Sequence, residues 1–287
     1  DPSSIDSCMI GGVVANNSSG MCCGVKQNTY HTLKDMRIVF VDGTVLDTAD
    51  ADSRASFLVS HKTLVDGGVD LASRVQADKT LSALISKKHA IKCTTGYSMN
   101  ALVDHPISDP IEIIKRLMIG SEGTLGFVSQ ATYNTVVDHP FKASAFIVFK
   151  DVREASRPAA VLRRAPTVDA VELFDRASLT QCEGHEKIIG LVPTIADAPK
   201  TGAALLIECR GATDELLNSG IAAVSASLDG AKLDLLNDRE TTYPFMKDEA
   251  VYKVYWDVRK GLIPLVGSSR AAGTSVLIED VACEVDK

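Results

Sequence analysis

Aromatic residues are few and long apolar runs are missing from this sequence. Aromatics make up 5% of the 287 residues, with a single tryptophan. No stretch approaches the roughly 18 consecutive apolar residues that a membrane-spanning helix needs. Basic residues are scattered and the formal net charge is -7, which argues against a nucleic-acid-binding surface. We therefore expect no nucleic-acid partner and no transmembrane segment, while peripheral contact with a membrane stays open.

Signatures of several common enzyme classes are also missing. The six histidines are scattered, and none belongs to a His-Glu-x-x-His pattern, so no metal site is predicted. There is no Gly-x-Ser-x-Gly elbow of the hydrolase type. Neither a Gly-x-Gly-x-x-Gly sequence nor a P-loop occurs. The sequence thus gives no indication of a zinc protease, an α/β-hydrolase, a Rossmann-type dinucleotide site or a P-loop NTPase.

Cysteine usage and the N-terminus bear on the location of the protein. The seven cysteines are odd in number and irregularly spaced, which indicates reduced thiols and a cytoplasmic location. The first residues lack the basic and then apolar pattern of a signal peptide. They read Asp1-Pro2 without an initiating Met, so we expect the chain to be an internal piece of a longer protein.

In the first half of the chain, turn and capping residues predict three elements. Asp42-Gly43 lies between two β-rich runs and predicts a hairpin, because such a turn needs positive φ angles. Residues 69–90 have the apolar spacing of one helix. A better-marked helix begins after Asp109, a candidate N-cap with Pro110 at the first helical position. We expect Gly120 to end this helix.

His139-Pro140 is a plausible domain boundary, so we predict domains at residues 1–138 and 139–287. Beyond the boundary, strands alternate with helices. The predicted strands are residues 143–149, 168–173, 203–209 and 232–236, and the predicted helices are 154–164, 214–228 and 244–263. This order favours a split β-α-β, ferredoxin-like domain over a doubly wound sheet. The fold class expected for both halves is α+β.

Two glycine clusters are the main candidates for chemistry. The first occupies residues 10–20, where glycines permit positive φ and the Asn and Ser side chains add short polar arms. Such a segment can surround a diphosphate as an anion-binding nest does, or it can be a tight surface loop. The second cluster, residues 120–126, again offers backbone donors between a helix and a strand. It can equally be a helix stop followed by a turn.

Taken together, these segments resemble a known family. The first cluster has the pattern Gly-Gly-x-x-x-Asn-x-x-x-Gly, the second reads Gly-Ser-Glu-Gly-Thr-Leu-Gly, and the Asp42-Gly43 hairpin lies between them. They resemble the FAD-binding domain of the vanillyl-alcohol-oxidase and p-cresol-methylhydroxylase superfamily. Residues 92–102 look like the branch with glycolate oxidase flavoprotein subunits and D-lactate and D-2-hydroxyglutarate dehydrogenases. The resemblance extends over nearly the whole chain.

The resemblance implies a cofactor and a place for it. The flavin and its diphosphate are expected along Gly11, Gly12, Asn17, Ser19 and Gly20. The ribose and adenine end is expected near Glu122, Gly123, Gly126 and Val128. In such a protein, residues 1–138 form the second part of an FAD-binding domain of the p-cresol-methylhydroxylase type. The remaining residues form a ferredoxin-like cap over the isoalloxazine ring.

The family resemblance also implies a substrate site in the cap. Related dehydrogenases place an arginine where Arg259 lies, to clamp a substrate carboxylate with two parallel hydrogen bonds. Arg259 is our first candidate and Arg270 the second, although Arg259 can also be a solvated helical residue. Ile263 and Ile278 stand where relatives have threonine and lysine, which puts the substrate in doubt. For Glu172, Asp175 and the pair Glu279-Asp280, ordinary solvent exposure is the simpler interpretation.

Two parts of the family pattern are missing from these 287 residues. A first Gly-rich diphosphate loop is expected before residue 1, and a histidine-bearing base segment after residue 287. Residues 16–24 are most similar to large bacterial proteins that carry an iron–sulfur module after the flavin half. Such a module, or another electron acceptor, is therefore an expected partner.

Three functions stay open at this point. The first is oxidation of a D-2-hydroxy acid, such as D-lactate or D-2-hydroxyglutarate, by hydride transfer to FAD. The second is oxidation of an amine, another alcohol or a sugar lactone within the same superfamily. The third is a non-catalytic module that binds a nucleotide or a partner chain.

Overall fold

The computed structural model describes residues 5, 8–20, 24–162, 165–230 and 243–275. The chain forms two compact units, Asp1–Val136 and Val137–Lys287. Their division lies close to the boundary predicted at residues 138 and 139. Each unit combines helices with an antiparallel sheet, which confirms the α+β class.

Among its described residues, the first unit contains seven helices and a three-stranded antiparallel sheet, with β1 (Leu33–Val39) between β2 (Val45–Asp47) and β3 (Phe127–Tyr133). In chain order its elements are α1 (Ile10–Asn16), α2 (Thr29–Thr32), β1 (Leu33–Val39), β2 (Val45–Asp47), α3 (Ala51–Ser60), α4 (Lys62–Ala77), α5 (Lys79–His89), α6 (Ala101–Asp104), α7 (Pro110–Met118) and β3 (Phe127–Tyr133).

The predicted hairpin is present between β1 and β2. Gly43 has a φ of 85°, which a residue with a side chain rarely adopts. The Asp42 carboxylate accepts a hydrogen bond from the Thr44 N–H at 2.9 Å, as Asp does in turns. Met36 and Ile38 of β1 are buried with Leu46 of β2 in the core of the unit.

The predicted helix after Asp109 is also present, as α7. The Asp109 Oδ1 accepts from the Glu112 N–H at 3.1 Å and binds the Arg54 guanidinium at 2.8 Å. Ile111 and Met118 are buried in the main core of the unit. The helix stops at Met118, and Gly120 has a φ of 82° two residues later. Its N-terminal cap and its end are therefore both encoded locally.

The single helix predicted for residues 69–90 is wrong. The structure has two helices there, α4 and α5, which meet at Asp78. The Asp78 carboxylate accepts from the Leu81 N–H at 2.9 Å. Asp is a strong N-cap because its side chain satisfies a backbone donor that the new helix leaves unpaired. This local bond interrupts an apolar pattern that otherwise reads as continuous.

In the part of it that the structure describes, the second unit contains a three-stranded antiparallel sheet, with β6 (Ala203–Gly211) between β4 (Phe141–Phe149) and β5 (Val168–Phe174), and helices cover this sheet. Its elements are β4 (Phe141–Phe149), α8 (Val152–Leu162), β5 (Val168–Phe174), α9 (Arg176–Glu183), α10 (Glu186–Leu191), a 3₁₀ turn at Pro193–Ile195, β6 (Ala203–Gly211), α11 (Asp214–Gly230) and α12 (Glu249–Ser269).

This strand order agrees with the split β-α-β prediction. β4 and β5 are joined through α8, and β6 lies between them, antiparallel to both. The fourth predicted strand, residues 232–236, lies outside the described residues. On the free edge of β4, Ser144 pairs with Met246 through two backbone hydrogen bonds of 3.0 and 2.9 Å.

The two faces of this sheet differ in chemistry. On one face, apolar residues of β4 and β6 pack against α8 and α11 in a core that includes Ile147, Leu205 and Leu217. The other face holds Phe146 and the polar residues Ser144, Glu208 and Glu172. Side chains of α12 contact the two edge strands on this face, β4 and β5. A buried polar set therefore lies beneath α12.

We predict that Asp109→Ala lowers the free energy of unfolding by about 1 to 2 kcal/mol, because α7 loses its N-cap and Arg54 loses its charged partner. Asp109→Asn is the matched control, since Asn caps helices as well as Asp but carries no charge. Its loss should be below about 1 kcal/mol. Urea denaturation followed by circular dichroism measures both. Equal losses in the two variants would show that the charge, and not the cap, stabilises this region.

Candidate functional site

The two glycine clusters lie against each other in the first unit. The Gly120 N–H donates to the Val14 carbonyl at 3.1 Å, and the Glu122 N–H donates to the Ala15 carbonyl at 3.0 Å. The Asn16 Nδ2 also donates to Glu122 Oε1 at 2.8 Å. These bonds join the C-terminal end of α1 to the turn after α7. We call residues 10–20 and 120–126 together the glycine junction.

Gly11 and Gly12 do not adopt the positive φ angles that the sequence suggested. Both lie within α1, and neither has a positive φ. Both are exposed, and a side chain at Gly12 would meet nothing within 4 Å. The predicted positive φ angles are therefore wrong, whereas the predicted close approach of a ligand to the backbone at these exposed glycines stays a prediction.

Asn17 is the residue of the first cluster that takes the left-handed conformation, with a φ of 56°. It caps the end of α1, and its side chain is buried. Its Oδ1 accepts from the Tyr30 N–H at 3.0 Å, which ties α1 to α2. Ser19 and Gly20, which follow, are partly exposed. The structure thus gives Asn17 a structural partner, and its predicted contact with a cofactor stays a prediction.

The second cluster forms a strained turn with an exposed surface. Glu122 has a φ of 51° and Gly123 one of 76°, and residues 122–125 are exposed. Among the described residues, the N–H groups of Gly123 and Leu125 have no hydrogen-bond partner. Two backbone donors of this turn can therefore receive an acceptor from a bound molecule.

Gly126 and Val128 have packing roles next to that turn. A side chain at Gly126 would lie 3.2 Å from both Ile38 and the Val39 carbonyl, and 3.3 Å from Met118. Gly126 therefore lets the chain approach the sheet closely. Val128, in β3, pairs with Ile38 of β1, and it packs on the core of the unit.

A third segment, for which the sequence predicts no contact with the cofactor, joins the glycine junction. Residues 96–98 lie beside Gly120, whose added side chain would be 3.4 Å from the Gly96 carbonyl. The Ser98 hydroxyl donates to the Ile119 carbonyl at 2.7 Å, and the Tyr97 and Thr124 hydroxyls are 2.8 Å apart. The only indication in the sequence was the family-like character of residues 92–102.

In the second unit, Arg259 forms an ion pair. Its Nε donates to Glu172 Oε2 at 2.7 Å, and the side chains are only 22% and 17% exposed. The pair joins α12 to β5. Both the solvated interpretation of Arg259 and the simple exposure expected for Glu172 are therefore wrong. The Asp175 carboxylate, by contrast, is exposed and accepts from the Ser178 N–H as the N-cap of α9.

α12 is held on the sheet one turn before Arg259. The Trp256 indole Nε1 donates to the Ser144 hydroxyl at 3.1 Å, and that hydroxyl donates to Glu208 Oε2 at 3.3 Å. Glu208 also binds the Arg210 guanidinium at 2.7 Å. Trp256 and Glu208 are buried, and buried polar groups are costly unless they are bonded. This series of hydrogen bonds fixes the position of α12 on the sheet and its rotation about its own axis.

In the part that it describes, the structure assigns no contact to the other residues that the sequence suggested for the substrate site. Arg270 is exposed and follows the last residue of α12, so its assignment as a second clamp stays a prediction. The side chain of Ile263 lies outside the described residues, and so do Ile278 and Glu279-Asp280.

Burial keeps two thiols and one phenol of the second unit protonated at neutral pH. Burial raises the pKa of Tyr255, which lies on α12 beside Phe146. Burial also raises the pKa of the Cys182 thiol to about 11 and that of the Cys209 thiol to about 12. These three groups therefore do not serve as a base or a thiolate nucleophile.

Neither a metal-binding cluster nor a membrane-spanning helix is found in the described part of the chain. No group of three or more His, Cys, Asp or Glu there is arranged to hold a metal ion. No helix there combines the length and the apolar character needed to cross a membrane.

Comparison with known proteins points to flavoenzymes. The curated relatives include the mitochondrial D-lactate dehydrogenase [cytochrome] 1 of Saccharomyces cerevisiae, which is 24% identical over 265 residues, or 88% of this chain and 32% of the yeast protein. They also include the D-2-hydroxyglutarate dehydrogenase of Haemophilus influenzae, 21% identical over 286 residues, or 96% of this chain and 27% of that protein. The chain thus spans about a third of the length of these relatives.

Among solved structures, alkyldihydroxyacetonephosphate synthase has a similar fold. The TM-score is 0.53 with 14% sequence identity, over 93% of this chain and 41% of that one. This likeness supports the fold assignment.

Two family models match the sequence. Residues 1–49 match an FAD binding domain. Residues 139–287, more than half of the chain, match the C-terminal domain of FAD linked oxidases. The chain therefore belongs to the FAD-linked oxidases.

Proposed function

We propose that the protein oxidises a D-2-hydroxy acid, such as D-lactate or D-2-hydroxyglutarate, to the corresponding 2-oxo acid with FAD as cofactor. The observation that carries the proposal is Arg259, a half-buried guanidinium whose Nη1 and Nη2 have no partner among the described residues. The two curated relatives are named for substrates of this class. The family membership supports the cofactor and the reaction type.

Arg259 suits the recognition of a carboxylate. A guanidinium offers planar N–H donors that match the two oxygens of a carboxylate, and it stays charged at any physiological pH. Because the side chain is mostly shielded from water, the bonds it forms are stronger than those of a surface arginine. In the proposed reaction, Arg259 holds the carboxylate and so fixes the position of the neighbouring carbinol carbon.

The glycine junction suits one part of FAD. The bare surface of α1 at Gly11 and Gly12 admits close approach, and the exposed N–H groups of Gly123 and Leu125 can donate to phosphate or carbonyl oxygens. When bound, FAD supplies the acceptor for the hydride from the carbinol carbon. The residues of the junction then contribute binding and orientation.

The proposed reaction needs two further groups. A base must take the hydroxyl proton of the substrate, and we keep the expectation that it is a histidine of the natural protein outside these 287 residues. An acceptor must remove the electrons, and an iron–sulfur module or a quinone fits that need.

Replacement of Arg259 tests the proposed substrate class directly. In the natural full-length protein reconstituted with FAD, one D-2-hydroxy acid should bleach the visible flavin absorption anaerobically, and its L-form should not. Arg259→Met should lower kcat/KM by about 100-fold, because about 3 kcal/mol of charge-assisted bonding is lost. Stopped-flow absorbance measures this with D-lactate, D-2-hydroxyglutarate and glycolate.

Two control variants sharpen this measurement. Lys260→Met removes a neighbouring exposed cation and should leave kcat/KM within about twofold, since exposed charges contribute little. Arg270→Met tests the second candidate directly. Activity on an alcohol, amine or lactone that Arg259→Met leaves intact would instead favour a substrate without a carboxylate. FAD binding without any reduction would favour the non-catalytic module.

Replacement of Gly12 tests the proposed cofactor site, with Gly67 as the matched control. Both are exposed helical glycines with nothing within 4 Å of an added side chain. Gly→Ala at either position should therefore stabilise the protein by roughly 0.5 to 1 kcal/mol. Only Gly12→Ala should weaken FAD binding, by about tenfold, because its methyl group covers the surface that the cofactor approaches.

Fluorescence titration of the apoprotein with FAD and urea denaturation give the two quantities. If Gly12→Ala binds FAD as tightly as Gly67→Ala does, the cofactor does not lie against this surface of α1.

A further inference from the structure

The contact between Arg259 and Glu172 engages one particular edge of the guanidinium. Glu172 Oε2 lies 2.7 Å from Nε. Neither Nη1 nor Nη2 bonds to a described residue. A guanidinium can bind a carboxylate along the edge that carries Nη1 and Nη2 while another acceptor holds Nε. The ion pair therefore leaves the outer edge of Arg259 available.

Glu172 is not easily displaced from this contact. Its side chain is 17% exposed, and among the described residues it has no partner other than Arg259. A ligand that took its place would leave a mostly buried carboxylate without a partner, which is strongly unfavourable. Binding at the Nη1 and Nη2 edge avoids this cost. The geometry thus favours a complex in which Glu172 stays on Nε.

The elements that carry the pair are themselves rigidly placed. Glu172 lies in β5, directly opposite Leu206 of the central strand. On the helix side, Trp256 is anchored to Ser144 one turn before Arg259. A side chain with four rotatable bonds loses much entropy when a ligand orders it. Prior ordering by Glu172 lowers that loss and strengthens binding.

We propose that Glu172 is a positioning residue, which holds the Nε of Arg259 and directs the Nη1 and Nη2 edge toward the carboxylate of the substrate. The assignment rests on the proposed function, in which Arg259 binds that carboxylate. Glu172 is then the residue that orients Arg259. It does so through the hydrogen bond that it accepts from Nε, and not through its negative charge.

Comparison of Glu172→Gln with Glu172→Ala separates these two properties. Both variants remove the negative charge, but only Gln keeps an oxygen that can accept from Nε. In the FAD-loaded natural protein, the KM for the D-2-hydroxy acid should be about tenfold higher in Glu172→Ala than in Glu172→Gln, as expected for one charge-assisted hydrogen bond. Equal KM values in the two variants would overturn the proposal, whatever their stabilities.

A chemical measurement on this chain tests the same contact without turnover. Phenylglyoxal modifies an arginine through its two terminal nitrogens, and peptide mass spectrometry gives the rate at each site. Arg54 is a matched control, because it is 29% exposed and both terminal nitrogens are bonded, to the Thr48 carbonyl and to Asp109. Arg259 should react several-fold faster than Arg54, and D-lactate should slow the reaction at Arg259 alone.

The two measurements fail in different ways. If no D-2-hydroxy acid is oxidised, but D-lactate protects Arg259 more strongly in Glu172→Gln than in Glu172→Ala, the proposed reaction is lost and the role of Glu172 stands. If Arg259 reacts no faster than Arg54, or if neither D-lactate nor the D-2-hydroxy acid that the protein oxidises protects it, the role of Glu172 is refuted even in a protein that oxidises the acid.

Discussion

The first unit depends on the hydrogen bonds that join the end of α1 to the turn after α7. A helix leaves its last carbonyls without intrahelical partners, and here the N–H groups of Gly120 and Glu122 satisfy those of Val14 and Ala15. Both donor residues, Gly120 and Glu122, have positive φ angles in this turn. The same angles expose the remaining donors of the turn. One constraint thus closes the core and produces a surface that can bind an anion.

In the second unit, side chains instead of backbone groups supply the hydrogen bonds that buried polar groups need. α12 must cover a sheet face that carries Ser144, Glu208 and Glu172, and burial of such groups is unfavourable unless each is bonded. Trp256 bonds to Ser144, and Arg259 bonds to Glu172. Both partners come from the same side of α12, since residues three apart share a helix face. The polar contacts that stabilise α12 therefore also determine where the candidate clamp lies.

Local chemistry made much of this fold predictable from the sequence. Asp42-Gly43 and Asp109-Pro110 specify a turn and a cap through bonds within a few residues, and the strands of the second unit have strong apolar patterns. The helical state of Gly11 and Gly12 was not predictable, because glycine disfavours helices and α1 is stabilised by distant contacts with the second cluster. Glu172 was missed for the same reason: its partner lies 87 residues away.

The location of these features suggests which of them can tell one substrate from another. The glycine junction offers backbone donors, which many sequences can supply when their φ angles allow it, so it carries little information about the substrate. The comparisons agree with this view. The chain shares its fold with a synthase at 14% sequence identity, and its sequence is related to those of two dehydrogenases. Substrate recognition requires side chains of particular charge and shape. In the described part of this chain, the strongest candidate for substrate recognition is Arg259. Its guanidinium is mostly buried, is bonded at Nε and is unpaired at its outer edge. A substrate without a carboxylate would leave that edge unsatisfied, whereas a 2-hydroxy acid would satisfy it.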